Sequence, residues 1–233
     1  MLLSVPTWLI HLLTVSEWLA AILLIHRYAV RIGRPRLRLF AYAMIPHLCA
    51  GLLVLSFHAS GDRTTWLLDA SRLMTFLGSL SLLAATLLML RTRRLNASWL
   101  AGVLVAVGLS WGLTRLLIAG GVSALLPGAN LMYLGFLSLL LVVARQDRAL
   151  FSPISIAGFW FLLVFVAGTI TATHIATARL GLPSLSHADL LHGASESLLS
   201  VSNFLIALGA YRRLRAARGN CTDSVPSRPV SLR

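Results

Sequence analysis

The chain has 233 residues, 58% of them hydrophobic and 12% charged, with a mean hydropathy of +0.83. Soluble domains carry roughly 25% charged residues, so an aqueous fold is excluded and a lipid bilayer is the expected surrounding. The net charge of +13 comes from 20 arginines, with no lysine, against seven acids. These arginines sit at the ends of apolar runs instead of covering one soluble face, which argues against nucleic-acid binding.

Apolar segments follow one another at about 6–26, 39–58, 66–90, 97–118, 126–145, 154–176 and 187–210. Each is long enough to cross a hydrocarbon layer of ~30 Å, and each must be helical because isolated strands leave their backbone unpaired in lipid. The expected fold is therefore an all-α polytopic membrane protein with seven transmembrane helices. Pro6 suits the first turn of helix 1, Pro46 falls inside helix 2 and predicts a kink, Pro153 opens helix 6, and Pro183 with Ser184 and Ser186 announces helix 7. The opening MLLSVPTWLIHLL has no basic leader and reads as a retained first helix.

Arginines alternate between the two sides. Arg27, Arg31, Arg34, Arg36 and Arg38 follow helix 1; Arg91, Arg93 and Arg94 follow helix 3; Arg145 and Arg148 follow helix 5; Arg212, Arg213, Arg215 and Arg218 follow helix 7. The opposite connections hold only Arg63 and Arg179, so the positive-inside rule predicts an outer N-terminus and a cytoplasmic C-terminus. Residues 217–233 lack apolar periodicity and read as a disordered tail. Gly108 and Gly112 are spaced for close helix packing in helix 4. Cys49 and Cys221 form neither a disulfide framework nor a metal-binding pair.

Ionisable groups inside a membrane are costly, so their positions are informative. Glu17 lies ~16 Å inward from Pro6, and Glu196 ~15 Å inward from Ser186, while His11 and His192 sit at matching shallower depths. His58 closes helix 2 on the same side. On helix 7, Asp189, His192, Glu196, Ser200 and Asn203 recur at helical spacing and form one polar stripe. The candidate intramembrane site is thus His11, Glu17, His58, Asp189, His192 and Glu196, with His11, His58, His192 and Glu196 as the metal-competent set. Competing readings remain at several positions: Asp189 as part of a helix start with Ser186, the histidines as interhelical hydrogen-bond partners, and the glutamates as salt-bridge partners of Arg115. Asp69 and Arg72 are spaced for an interfacial ion pair. His26, His47, His174 and His187 read as packing or surface residues.

The runs SVPTWLIH from Ser4 to His11 and SEW from Ser16 to Trp18, with His58, resemble the hypothetical chloroplast reading frame forty-nine family of cyanobacteria and plastids over roughly residues 3–95. GFWFLLVFV from Gly158, DLLHGASESLL from Asp189 and SNFLIALG from Ser202 resemble a second cyanobacterial and plant membrane domain of unknown function over roughly 125–213. The resemblance implies a protein of a photosynthetic lineage, in a bacterial inner membrane or thylakoid, and carries the same six polar positions. The expected organisation is a three-helix domain at 3–95, a joining helix at 96–120, a second three-helix domain at 121–216 and the tail. A subunit or assembly factor of a membrane protein complex is favoured, because no complete catalytic motif is present. The alternative is a cofactor protein or enzyme holding a metal or haem and acting on a quinone or isoprenoid, and a transporter comes third. The lack of a His-x-x-x-His cluster speaks against a di-iron oxygenase.

Overall fold

A computed structural model describes residues 3–90, 108 and 124–222. Every regular element in them is helical: α1 (Val5–Arg31), α2 (Pro35–Ala43), α3 (Ile45–Ala59), α4 (Thr65–Met89), α5 (Leu125–Gln146), α6 (Pro153–His174) and α7 (Asp189–Thr222). A π-helical turn, Ile175–Arg179, continues α6, and a 3-10 turn, Leu185–His187, precedes α7. The expected segment at 97–118, with Gly112 and Arg115, lies outside the described residues apart from Gly108, as do Arg91, Arg93, Arg94 and the tail beyond 222.

Five described helices are long and apolar enough to cross a membrane: Val5–Arg31, Pro35–Ala59, Thr65–Met89, Leu125–Gln146 and Pro153–Arg179. The protein is an all-helical membrane protein. Its α7 is not among these five, because the polar stripe lowers its apolarity. Helix α7 also continues to Thr222, past the expected start of the disordered tail at 217. Arginine, alanine and leucine between Arg212 and Arg218 are strong helix formers and carry the helix onward.

Proline sets several boundaries. Pro6, Pro35, Pro46 and Pro153 each stand in a first helical turn, where the missing N–H has no partner to lose. At Pro153, Ser152 caps the helix by accepting a hydrogen bond from the Ser155 N–H at 3.0 Å. Pro46 does more than kink the second span, since it separates α2 from α3 at Met44. Carbonyls beside this break find side-chain donors: the Trp18 indole N–H reaches Met44 O at 3.0 Å, and the Ser81 hydroxyl reaches Ala43 O at 2.7 Å.

The main packing pairs are α1 with α7, α6 with α7, α4 with α5, and α3 with α4. Phe40, Phe136, Phe151 and Phe159 form an aromatic knot, with Phe40 5.0–5.9 Å from the other three ring centres. Such offset and edge-on pairs add to the burial of large rings. Helix α5 is the most enclosed, with 56% of its most apolar stretch buried, against 17% for α6. Outward leucines and isoleucines such as Leu9, Leu13, Leu23 and Ile170 are exposed, as lipid-facing residues must be.

Pairing across the bundle fixes helix directions. Ser71 donates to Ala50 O in α3 and Ser81 to Ala43 O in α2, so the span formed by α2 and α3 runs antiparallel to α4. Ser155 donates to Ile206 O and Ser202 to Gly158 O, so α6 and α7 are antiparallel. Tyr28 donates to Ala149 O at 2.6 Å, and Arg34 pairs with Asp147 at 3.3 Å, which brings the ends of α1 and α5 to one face. Arg213 joins them there by donating to Phe151 O at 2.9 Å. The opposite face carries the beginnings of α1 and α7 and the end of α3, and it positions the polar site.

Candidate functional site

Helices α1 and α7 run parallel, and the polar stripe of α7 lies against α1 along its whole length. At the start, Asp189 Oδ1 accepts the backbone N–H of Ser4 at 2.9 Å, satisfying one of the free donors at the beginning of α1. Further in, the Ser200 hydroxyl donates to Glu17 Oε2 at 2.8 Å, and Asn203 Nδ2 donates to Thr14 O at 3.0 Å. Close approach is needed between these contacts: a Cβ on Gly193 would stand 2.8 Å from Thr7 Oγ1. Glycine there lets the two helices meet next to His192.

Three imidazoles gather in the space this leaves. His11 from α1, His58 from the end of α3 and His192 from α7 are buried, at 4%, 7% and 6% exposure. Each pair of rings has its centres 5.1 Å apart. One nitrogen from each can be chosen so that all lie within 4.8 Å of one another. A tetrahedral ion with bonds of 2.0–2.1 Å holds its nitrogens ~3.4 Å apart, so the three rings must draw somewhat closer to share one.

Carboxylates surround the cluster. His58 Nδ1 is 2.8 Å from Asp62 Oδ1, a contact that leaves Nε2 as the ring nitrogen available to a ligand. The contact follows from how α3 ends. Gly61 and Asp62 both adopt positive φ, +71° and +60°, while Gly61 N–H donates to His58 O and Asp62 N–H to Phe57 O. This left-handed turn folds the Asp62 side chain back over the last helical turn. Glu196 Oε2 lies 3.7 Å from His11 Nδ1, beyond hydrogen-bond reach but within ion-pair range. Among the described residues, the buried atoms His11 Nε2, His192 Nδ1 and Asp62 Oδ2 have no hydrogen-bond partner. Buried nitrogens without a partner are costly, and a shared cation would satisfy them.

Of the six positions expected from sequence, His11, His58 and His192 converge and Glu196 adjoins them. Glu17 stands apart, six residues or ~9 Å further along α1, with Ser200 as its partner. Asp189 is the first residue of α7 and anchors the start of the neighbouring α1. Asp62 belongs to the site and was not anticipated; its signal was the four-residue spacing from His58 followed by a Gly-Asp turn.

The remaining histidines lie elsewhere. His26 Nε2 is 3.0 Å from the Tyr42 hydroxyl, and His187 Nδ1 is 3.0 Å from the Ser184 hydroxyl. His47 is packed beside Trp18 and Tyr133 and fills the space over Gly78. Asp69 and Arg72 form the expected exposed pair at 2.9 Å.

Comparison with known proteins places these elements in two families. Residues 2–88 match the family described as "Protein of unknown function (DUF2499)", and residues 122–215 match "Protein of unknown function (DUF3593)". A Ycf49-like protein of Synechocystis sp. is 34% identical over 85 residues, a match covering 36% of this chain and 82% of that protein. No solved structure matches. The chain belongs, through the half that contributes His11 and His58, to the Ycf49-like family, and carries a second domain of unknown function behind it.

Proposed function

We propose that this protein is a membrane metal-binding protein, holding a single transition-metal ion of the zinc or iron type on His11, His58 and His192. The observation that carries the proposal is the meeting of three buried imidazoles from three helices, with His11 Nε2 and His192 Nδ1 lacking a hydrogen-bond partner among the described residues. Asp62 orients His58, in the manner of the carboxylates that commonly stand behind metal-bound histidines. Glu196 is placed to serve as a fourth ligand or to take a proton from a bound water. Ring centres 5.1 Å apart suit an ion better than a haem, whose macrocycle needs more room between axial imidazoles.

The same reading adopts seven crossings with the N-terminus outside. Arginine placement supports the orientation. The count is supported by the apolar length of the sequence segments, the run at 97–118 included, and takes α7 as a crossing despite its stripe. The ion then lies in the outer half of the membrane.

A purely structural role in a membrane complex is the second reading, favoured by the joining of two families into one chain. Metal analysis of the protein purified in mild detergent separates them. Stoichiometric metal that is lost in His192→Ala supports the metal centre; a metal-free protein whose partner complex still co-purifies supports the structural role.

A further inference from the structure

Each family contributes an incomplete ligand set. His11, His58 and Asp62 fall within residues 2–88, whereas His192 and Glu196 fall within residues 122–215. The first module alone offers two imidazoles and the second only one with a carboxylate, short of the three protein ligands usual in catalytic zinc sites and the four of structural ones. The Synechocystis relative corresponds to the first module; with 82% of its length matched there, it has no room for the second.

We infer that the metal centre is an inter-module site, completed when two separable membrane modules dock through the α1–α7 seam, and that this chain is a covalent fusion of the pair. The inference rests on the metal reading above. The seam has the features of a specific interface. It has hydrogen bonds at both ends, Ser4 to Asp189 and Ser200 to Glu17, a glycine approach of Gly193 to Thr7, and buried His11 and His192 between them. Small residues and buried polar pairs are what hold helices together where lipid removes the hydrophobic drive. The aromatic knot adds a second docking area, with Phe40 from the first module set among Phe136, Phe151 and Phe159 of the second. A first module standing alone therefore presents on α1 a receptor for a membrane helix carrying a carboxylate, an imidazole three residues on and a carboxylate four further, as Asp189, His192 and Glu196 do.

The test uses the full chain with a protease site inserted between residues 90 and 124 and cleaved after purification in mild detergent. The expected result is two fragments that co-migrate in size exclusion and keep the metal content of the uncleaved protein. His11→Ala in one fragment and His192→Ala in the other should each lower that content below about a tenth, with the fragments still paired. Gly193→Leu, which drives a side chain into Thr7, should release the metal and weaken the pairing on cleavage. Separation of the wild-type fragments on cleavage overturns the inference and leaves the metal reading intact, whereas metal retained by one fragment alone overturns both. An uncleaved wild-type chain that binds no added zinc or iron overturns the metal reading itself.

Discussion

Asp62 offers the sharpest single-residue test, because it supports a proposed ligand without being one. Its Oδ1 stands 2.8 Å from His58 Nδ1, and the pair is almost enclosed, with side-chain exposures of 4% for His58 and 11% for Asp62. Replacing the carboxylate partner of a metal-bound histidine lowers metal affinity by roughly 10–100-fold, equivalent to about 1.4–2.8 kcal/mol. Asp62→Asn keeps an acceptor for the Nδ1–H and tolerates the positive φ of this position, so its expected loss is near tenfold. Asp62→Gly also fits that backbone but leaves Nδ1 without a partner, so its loss should approach a hundredfold. The assay is competition for zinc against a chelator of known affinity, with the thermal unfolding midpoint measured in parallel. Asp69→Asn, which alters only the exposed pair with Arg72, is the control and should change nothing. Unchanged affinity in both Asp62 variants would refute the assignment of His58 as an oriented ligand.

The remaining predictions address acidity, packing and topology. Protonated imidazole has no lone pair for a metal, so occupancy should fall as the pH is lowered and recover on neutralisation; an occupancy that rises with acid contradicts the ligand set. Gly158→Ala would place a Cβ 2.8 Å from the Ile206 backbone N and 2.9 Å from Ser202 O, so α6 and α7 must separate. The expected destabilisation is about 1–3 kcal/mol in detergent unfolding, and a neutral result would show that the contact is looser than described. Trp18→Phe removes the buried donor to Met44 O at the α2–α3 break and should cost at least about 1 kcal/mol by the same assay. In a variant without Cys49 and Cys221, a cysteine at Arg63 should react with an impermeant maleimide from outside and one at Arg148 should not; the reverse pattern would invert the orientation.

Much of the scaffold was legible because lipid imposes simple rules. Apolar length, proline in the first turn and the absence of strands among the described residues fit the need to satisfy every backbone group within a segment. The break at Met44 was harder to see, since Pro46 alone predicts a kink; the separation depends on Trp18 and Ser81 supplying donors from other helices. At the site, equal depth along α1 and α7 correctly suggested that His11 and His192 are neighbours. It could not separate Glu196, beside His11, from Glu17, which faces Ser200, because rotation about the helix axis depends on packing and on Gly193. Asp62 was hidden because its contact with His58 depends on two left-handed residues after α3, a feature of the backbone that spacing alone does not reveal.

The central claim is most directly tested by the metal content of the intact protein, purified in mild detergent and measured by elemental analysis together with its visible spectrum. The expected result is a single transition-metal ion per chain and no haem absorption, with the ion absent from His11→Ala, His58→Ala and His192→Ala while each variant remains in the membrane. A wild-type protein free of metal after incubation with zinc and iron, or an ion that survives all three substitutions, would contradict it.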